Sequence, residues 1–307
     1  MLDRPKTTTV GSFPTEPGSS PERSIGTYVD LQLRLNFDLI ADGEPRGDMI
    51  AYFLQDIPGL GLLKGKAAVV GRISEPKDVI ECLKVKDLSL LTQHLQMVGL
   101  PRPVKIAVTG PVTLGFTCAL GGSGPYTGPA DMDLYLDLAE SIGKIASHLQ
   151  SQGAIVQVDE PGLSGGFLDP KKGAECLRRL SAELEPERTI VHACGRISPH
   201  LHEQLLGLEN VGIVSHAFAG NFENVAIIDR AKLAKAGKKL AAGCARVNIT
   251  QAGQLDSPPR IRSTLTRIQE KVGQDLVAYF HPDCGLRSTR PDLAEAVLRN
   301  LSGAAYH

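Results

Sequence analysis

Three side chains in this 307-residue sequence have the types and spacing of a soft metal site: His192, Cys194 and Cys284. His192 and Cys194 are separated by one residue. On an extended strand such a pair points to the same side, so an imidazole and a thiolate can converge on one ion. Cys284 follows another apolar run, LVAYFHPD, near the C-terminus. One nitrogen and two sulfurs select zinc over magnesium or calcium. Catalytic zinc keeps three protein ligands and one open position, and a thiol placed there ionises. The competing reading is that a cysteine on a buried strand is only a small hydrophobe. That reading is adopted for Cys82, Cys118, Cys176 and Cys244. The irregular spacing of the six cysteines does not suggest a disulfide framework.

Two acids form a second group. Glu44, in DGEP, and Asp159, in VDEP, each follow an apolar run. Buried acids at such places serve as general acid and base, or hold a substrate ammonium. The bland alternative is a salt bridge to a nearby arginine such as Arg46. Asp159 and Glu160 adjoin Pro161, so one of them is expected to cap a turn. Ser12, after Gly11, offers a hydroxyl and backbone N–H to a carboxylate, or marks a plain turn.

The elements that position these residues read as alternating strands and helices. Strand candidates are TTTVG (7–11), FDLIADG (37–43), KIAVTG (105–110), AIVQVD (154–159), TIVHAC (189–194), VGIVSH (211–216), KLAAGCA (239–245) and LVAYFHPD (276–283). They are apolar almost throughout, as parallel strands covered on both faces are. Helical spacing fills 132–152, 169–184 and 258–272. Pro170, Pro199, Pro258 and Pro291 sit where first helical turns start. Eight such units predict an α/β fold: a single TIM (β/α)8 barrel spanning 1–307 as one catalytic domain. AAVVGRI (67–73) is an extra piece, read as a small hairpin inserted after strand two. GGSGPYTGPAD (121–131) reads as a mobile loop over one face. In this fold chemistry sits at the carboxyl ends of the strands, where Ser12, Glu44, Asp159, His192, Cys194 and Cys284 all fall. A net charge of -1 leaves no basic field for nucleic acid or an anionic membrane. No apolar run approaches the ~20 residues of a membrane span. The N-terminal MLDRPKTTTVGSF lacks the apolar stretch of a signal peptide, so a cytoplasmic protein is expected.

Six motifs occur in order: TTTVGSFP (7–14), DGEPRGDM (42–49) with Tyr52-Phe53, TGPVT (109–113), VQVDEPGL (156–163), VHACG (191–195) and HPDCGL (281–286). Together they resemble the catalytic barrel of cobalamin-independent methionine synthase, in the short form of archaea and some anaerobic bacteria that consists of that barrel alone. The resemblance implies that His192, Cys194 and Cys284 bind zinc. It implies that Glu44 and Asp159 hold the amino group of L-homocysteine, and Gly11 and Ser12 its carboxylate.

Four departures from the family pattern stand out. A glutamate that supplies the fourth zinc ligand corresponds to Ala217, leaving that place to water, His216 or the substrate sulfur. The tryptophan that stacks on the pterin in folate-using members corresponds to Leu114-Gly115-Phe116-Thr117, in a chain with no tryptophan. A pterin-contacting acid after DEP is missing in Leu163-Ser164-Gly165-Gly166, and a histidine that assists methyl transfer corresponds to Asn248. The resemblance therefore implies homocysteine S-methylation with methylcobalamin or a methylated corrinoid protein, rather than methyltetrahydrofolate, as donor. Another thiol acceptor, or a barrel that binds without turnover, are the alternatives.

Overall fold

The structure, a computed structural model, describes residues 4–15 and 18–306. Ten strands follow in chain order: β1 (Lys6–Thr7), β2 (Ile40–Ala41), β3 (Leu60–Leu63), β4 (Lys66–Val69), β5 (Val104–Thr109), β6 (Ile155–Asp159), β7 (Thr189–Ala193), β8 (Ile213–Ala217), β9 (Lys239–Ala245) and β10 (Val277–Pro282). Eight of them form one parallel sheet in the order β1-β10-β9-β8-β7-β6-β5-β2. The amides of Asp38 and Leu39 both donate to Thr7 O at 3.1 Å, and the Thr8 hydroxyl donates to Leu39 O at 3.0 Å. These bonds join β1 to β2, and the sheet curls into a TIM barrel.

All eight barrel strands predicted from the sequence are present, but β1 and β2 are shorter than their apolar runs. The carbonyls of Thr9 and Val10 accept from the side chains of Lys105 and Gln157. Those groups are unavailable to a ladder, so β1 stops at Thr7. The inserted hairpin is β3–β4, antiparallel, turning through Lys64 and Gly65, which both have positive φ (51° and 77°). This twist matches a two-residue hairpin. AAVVGRI supplies only its second strand. The loop 121–131 is tied down: Tyr126 is buried, its hydroxyl donates to Asp137 at 2.5 Å and accepts from the Ile73 amide at 3.0 Å.

Helices begin where the prolines predict, at Pro170, Pro199, Pro258 and Pro291. Outward-facing strand residues such as Ile106, Val156, Val191 and Val214 join the large core under the helices. Inside the barrel, Leu39, Ile190, Ile213, Ala241 and Tyr279 form a separate apolar layer at the N-terminal end. Two residues further along the strands, the inward positions become Lys105, Gln157, His192, Ser215 and His281, all buried. A buried polar layer is costly unless fully bonded, and it forms the floor of the site. No helix among the described residues is long and apolar enough to cross a membrane.

Candidate active site

His192 lies near the end of β7 and is buried, with Cys194 just beyond it. Cys284 follows β10. Chain reversal of the barrel brings the three together, and their ligand atoms all lie within 4.8 Å of one another. His192 Nε2 is buried and has no hydrogen-bond partner, while Nδ1 lies 2.8 Å from Ser215 Oγ. Burial pushes the His192 pKa well below the ordinary imidazole value. A neutral ring with a bare Nε2 facing two sulfurs is a ligand set for a soft cation. The thiols hydrogen-bond to each other; this lowers the Cys194 pKa and, with burial, raises that of Cys284. Cys82, Cys118, Cys176 and Cys244 are buried in the core, as read from the sequence.

His216 does not join the trio. Strand alternation turns it outward, where Nδ1 faces Ala193 O at 3.4 Å and Nε2 faces His202 Nδ1 at 3.1 Å. Both ring nitrogens are engaged behind the barrel, so the expectation that His216 could complete a metal shell is overturned. Ala217, two residues beyond Ser215, shares its inward side. Asp283 holds the segment after it, accepting from the amides of Phe218 (3.1 Å), Ala219 (3.0 Å) and Gly220 (2.6 Å).

The acids gather beside the trio. Asp159 is the register neighbour of His192 in the β6–β7 ladder. Its Oδ1 accepts from Gln157 Nε2 at 2.6 Å. Burial, then the Glu44 carboxylate, raises its pKa well above the usual value. Glu44 is buried with φ 54°, in the left-handed region. Such strain in a non-glycine residue persists only where surroundings enforce it. Gly43 before it has φ 83°, and a Cβ there would lie 2.2 Å from the Tyr28 ring. The salt-bridge reading for Glu44 is met by another residue than Arg46: Lys84 Nζ donates to Glu44 Oε1 at 2.7 Å, and Arg46 pairs with Asp87 at 2.6 Å. Neither acid caps the turn at Pro161 with its side chain; Glu160 caps a neighbouring helix instead. It accepts from the amides of Val112 and Thr113 at 2.8 and 3.0 Å, at the start of the helix Pro111–Gly121.

Gly11 and Ser12 follow β1 beside these acids: a Cβ on Gly11 would lie 4.0 Å from Glu44 Cδ, and the Phe13 amide donates to Gly43 O at 2.9 Å. A Cβ on Gly285 would lie 2.2 Å from Ser12 Oγ, and the Leu286 amide donates to Ser12 O at 2.7 Å. Ser12 is therefore seated directly against the Cys284-Gly285 turn. The carboxyl groups of Asp42, Glu44, Asp87 and Asp159 cluster with the basic groups of Arg46, Lys84 and Lys105. Lys105, held down to about 7 by burial, sits on the floor with Nζ 2.6 Å from Gln157 Oε1. A cavity of 360 Å³ at the other end of the barrel, with Lys6, Lys239 and Asp275 in its wall, contains none of these residues.

Sequence reasoning missed Lys84, Lys105, Gln157, Ser215 and His281. Strand parity was the available signal for some: Gln157 precedes Asp159 by two and Ser215 precedes Ala217 by two.

Residues 19–307 match the family model described as cobalamin-independent synthase, catalytic domain. The chain belongs to this family. Among members of the synthase family, the methionine synthase of Methanothermobacter marburgensis is 30% identical, over 97% of this chain and 98% of its own. That of Methanocaldococcus jannaschii is 27% identical, over 96% of each. A 5-methyltetrahydropteroyltriglutamate–homocysteine methyltransferase of Synechococcus sp. is 24% identical over 98% of this chain but 43% of its own length. A solved B12-independent methionine synthase of Shewanella sp. W3-18-1, in complex with selenomethionine, superposes with a TM-score of 0.76 at 21% identity, over 99% and 97% of the two chains. The synthase barrel is thus matched along nearly its whole length.

Proposed function

We propose that this chain, acting as one catalytic domain over 1–307, methylates the sulfur of L-homocysteine to give L-methionine, with zinc held by His192, Cys194 and Cys284. One observation carries the reading: a bare, buried imidazole nitrogen is grouped with two thiols, and Asp159 stands beside His192 in the ladder. Zinc supplies the Lewis acidity that lets a neighbouring thiol lose its proton at neutral pH. Asp159 and Glu44 hold the ammonium of the amino acid, and Ser12 with the Gly11 backbone holds its carboxylate. These contacts aim the sulfur at the mouth of the barrel, where positioning contributes to the rate. The new S–CH3 bond forms as the methyl–donor bond breaks in line.

The donor is methylcobalamin or a methylated corrinoid protein. In support, the segment that bears the pterin-stacking tryptophan in folate-using relatives bears Phe116 here. Its ring is spent on Phe167, stacked at 4.3 Å between centroids. The experiment is incubation of the zinc-loaded protein with homocysteine and either methylcobalamin or methyltetrahydrofolate. Methionine from methylcobalamin is expected. Efficient turnover with the folate alone contradicts the donor, and turnover with neither contradicts the reading as it stands.

A further inference from the structure

We infer that Ser215 and His281 are positioning residues that fix which nitrogen of His192 carries the proton. The inference rests on His192 being a metal ligand, and concerns what makes it one. Three buried groups of the polar layer inside the barrel form a chain: His192 Nδ1 to Ser215 Oγ at 2.8 Å, Ser215 Oγ to His281 Nε2 at 2.9 Å, and His281 Nδ1 to Pro282 O at 2.6 Å. Distances alone leave the direction open, since a neutral imidazole has one donor and one acceptor nitrogen. The last link removes the ambiguity. A carbonyl oxygen only accepts, so His281 Nδ1 carries the hydrogen. Its Nε2 is then the acceptor and takes the Ser215 hydroxyl proton. The serine oxygen, its hydrogen committed, accepts from His192 Nδ1–H. His192 Nε2 is left as a bare lone pair; it has no hydrogen-bond partner, so it is the ring nitrogen free to act as a ligand with Cys194 and Cys284.

The His281 ring also faces the Ala241 carbonyl, but its 2.6 Å contact to Pro282 O, the shortest in the chain, sets the hydrogen positions of the three side chains. All three are buried, so water does not substitute for a missing link. The arrangement extends the usual hydrogen-bonded support of a metal-binding histidine by one further residue. Without it the Nε2–H form of His192, which cannot bind a cation, would compete.

The test uses 15N-labelled, metal-free protein and the zinc affinity of the same samples by chelator competition. Wild type and Ser215→Thr, which keeps the hydroxyl, are expected to show His192 protonated at Nδ1 in long-range 15N–1H spectra. Ser215→Ala is expected to show a mixture of forms and zinc binding weaker by ~10–100-fold. His281→Phe, which leaves the serine proton undirected, is expected to fall between them. The thermal midpoint of the metal-free variants separates loss of positioning from loss of fold. His192 protonated at Nε2 in the wild type, or folded Ser215→Ala binding zinc as tightly as wild type, overturns the inference. The tautomer is read without metal, so it decides the matter even where zinc binding itself fails.

Discussion

Asp159→Asn separates function from stability at the centre of the site. Asp159 is enclosed by the barrel wall and reached by solvent only from the mouth. Its structural support is one hydrogen bond, from Gln157 Nε2 at 2.6 Å, which an asparagine Oδ1 accepts equally well. Against this stands the burial of a charge beside Glu44, which raises its pKa well above the ordinary carboxylate value. A carboxyl raised in the folded state stabilises the fold below its unfolded pKa, near 3.9, and loses that contribution as pH rises through the folded value. At neutral pH the buried carboxyl is therefore a strain, and its removal is expected to add about 0.5–2 kcal/mol, the gain typical of relieving a functional site. Lys105 does not reverse the sign, because its own pKa of about 7 lets it shed the proton. Homocysteine binding changes the other way. Losing one charge-assisted bond to an ammonium costs about 1.5–3 kcal/mol, a rise of roughly ten- to hundred-fold in KM. Urea unfolding of metal-free protein at pH 7 gives the first quantity, and steady-state kinetics the second. A variant that is less stable than wild type with an unchanged KM would show that Asp159 is structural, and would refute the ammonium assignment.

Other perturbations give contrasting signs. Glu160→Gln removes one of two acceptors for the Val112 and Thr113 amides and sets an amide N–H against a buried donor. It should cost about 2–4 kcal/mol in urea unfolding, and a loss below 1 kcal/mol contradicts the capping role. Asp42, raised to about 7 by burial despite Lys84 at 3.8 Å, holds both oxygens without a hydrogen bond. Stability from this group is present at pH 4 and lost towards pH 7, so Asp42→Asn should flatten that part of the stability–pH curve; an unchanged slope contradicts it. Ala217→Glu places a carboxylate on the same inward side as Ser215. It should tighten zinc by tenfold or more in chelator competition, and no change would mean the side chain does not reach the trio.

The barrel was legible because its strands are unbroken apolar runs and its helices open on prolines, both local signals. The trio His192, Cys194 and Cys284 was legible because His192 and Cys194 share strand parity and because VHACG and HPDCGL are two of the ordered motifs that carry the family resemblance. Lys84 was not legible. It lies in the helix Leu83–Met97, whose sequence KVKDLSLLTQH reads as an ordinary exposed lysine pattern, yet tertiary packing buries it on Glu44. Lys105 opens an apolar strand and looks like an edge charge, but barrel closure turns it inward beneath Asp159. Ser215 and His281 are 66 residues apart, and only closure of the barrel makes them neighbours. The shortness of β1 was hidden for the same reason: the side chains that occupy its carbonyls arrive from β5 and β6.

The most direct measurement is the zinc-edge X-ray absorption spectrum of the purified protein, recorded before and after homocysteine is added. One nitrogen and two sulfur neighbours are predicted at first, with a third sulfur appearing on addition and no such gain in Cys284→Ser. A protein that takes up no zinc, or one whose sulfur count does not change with homocysteine, contradicts the account.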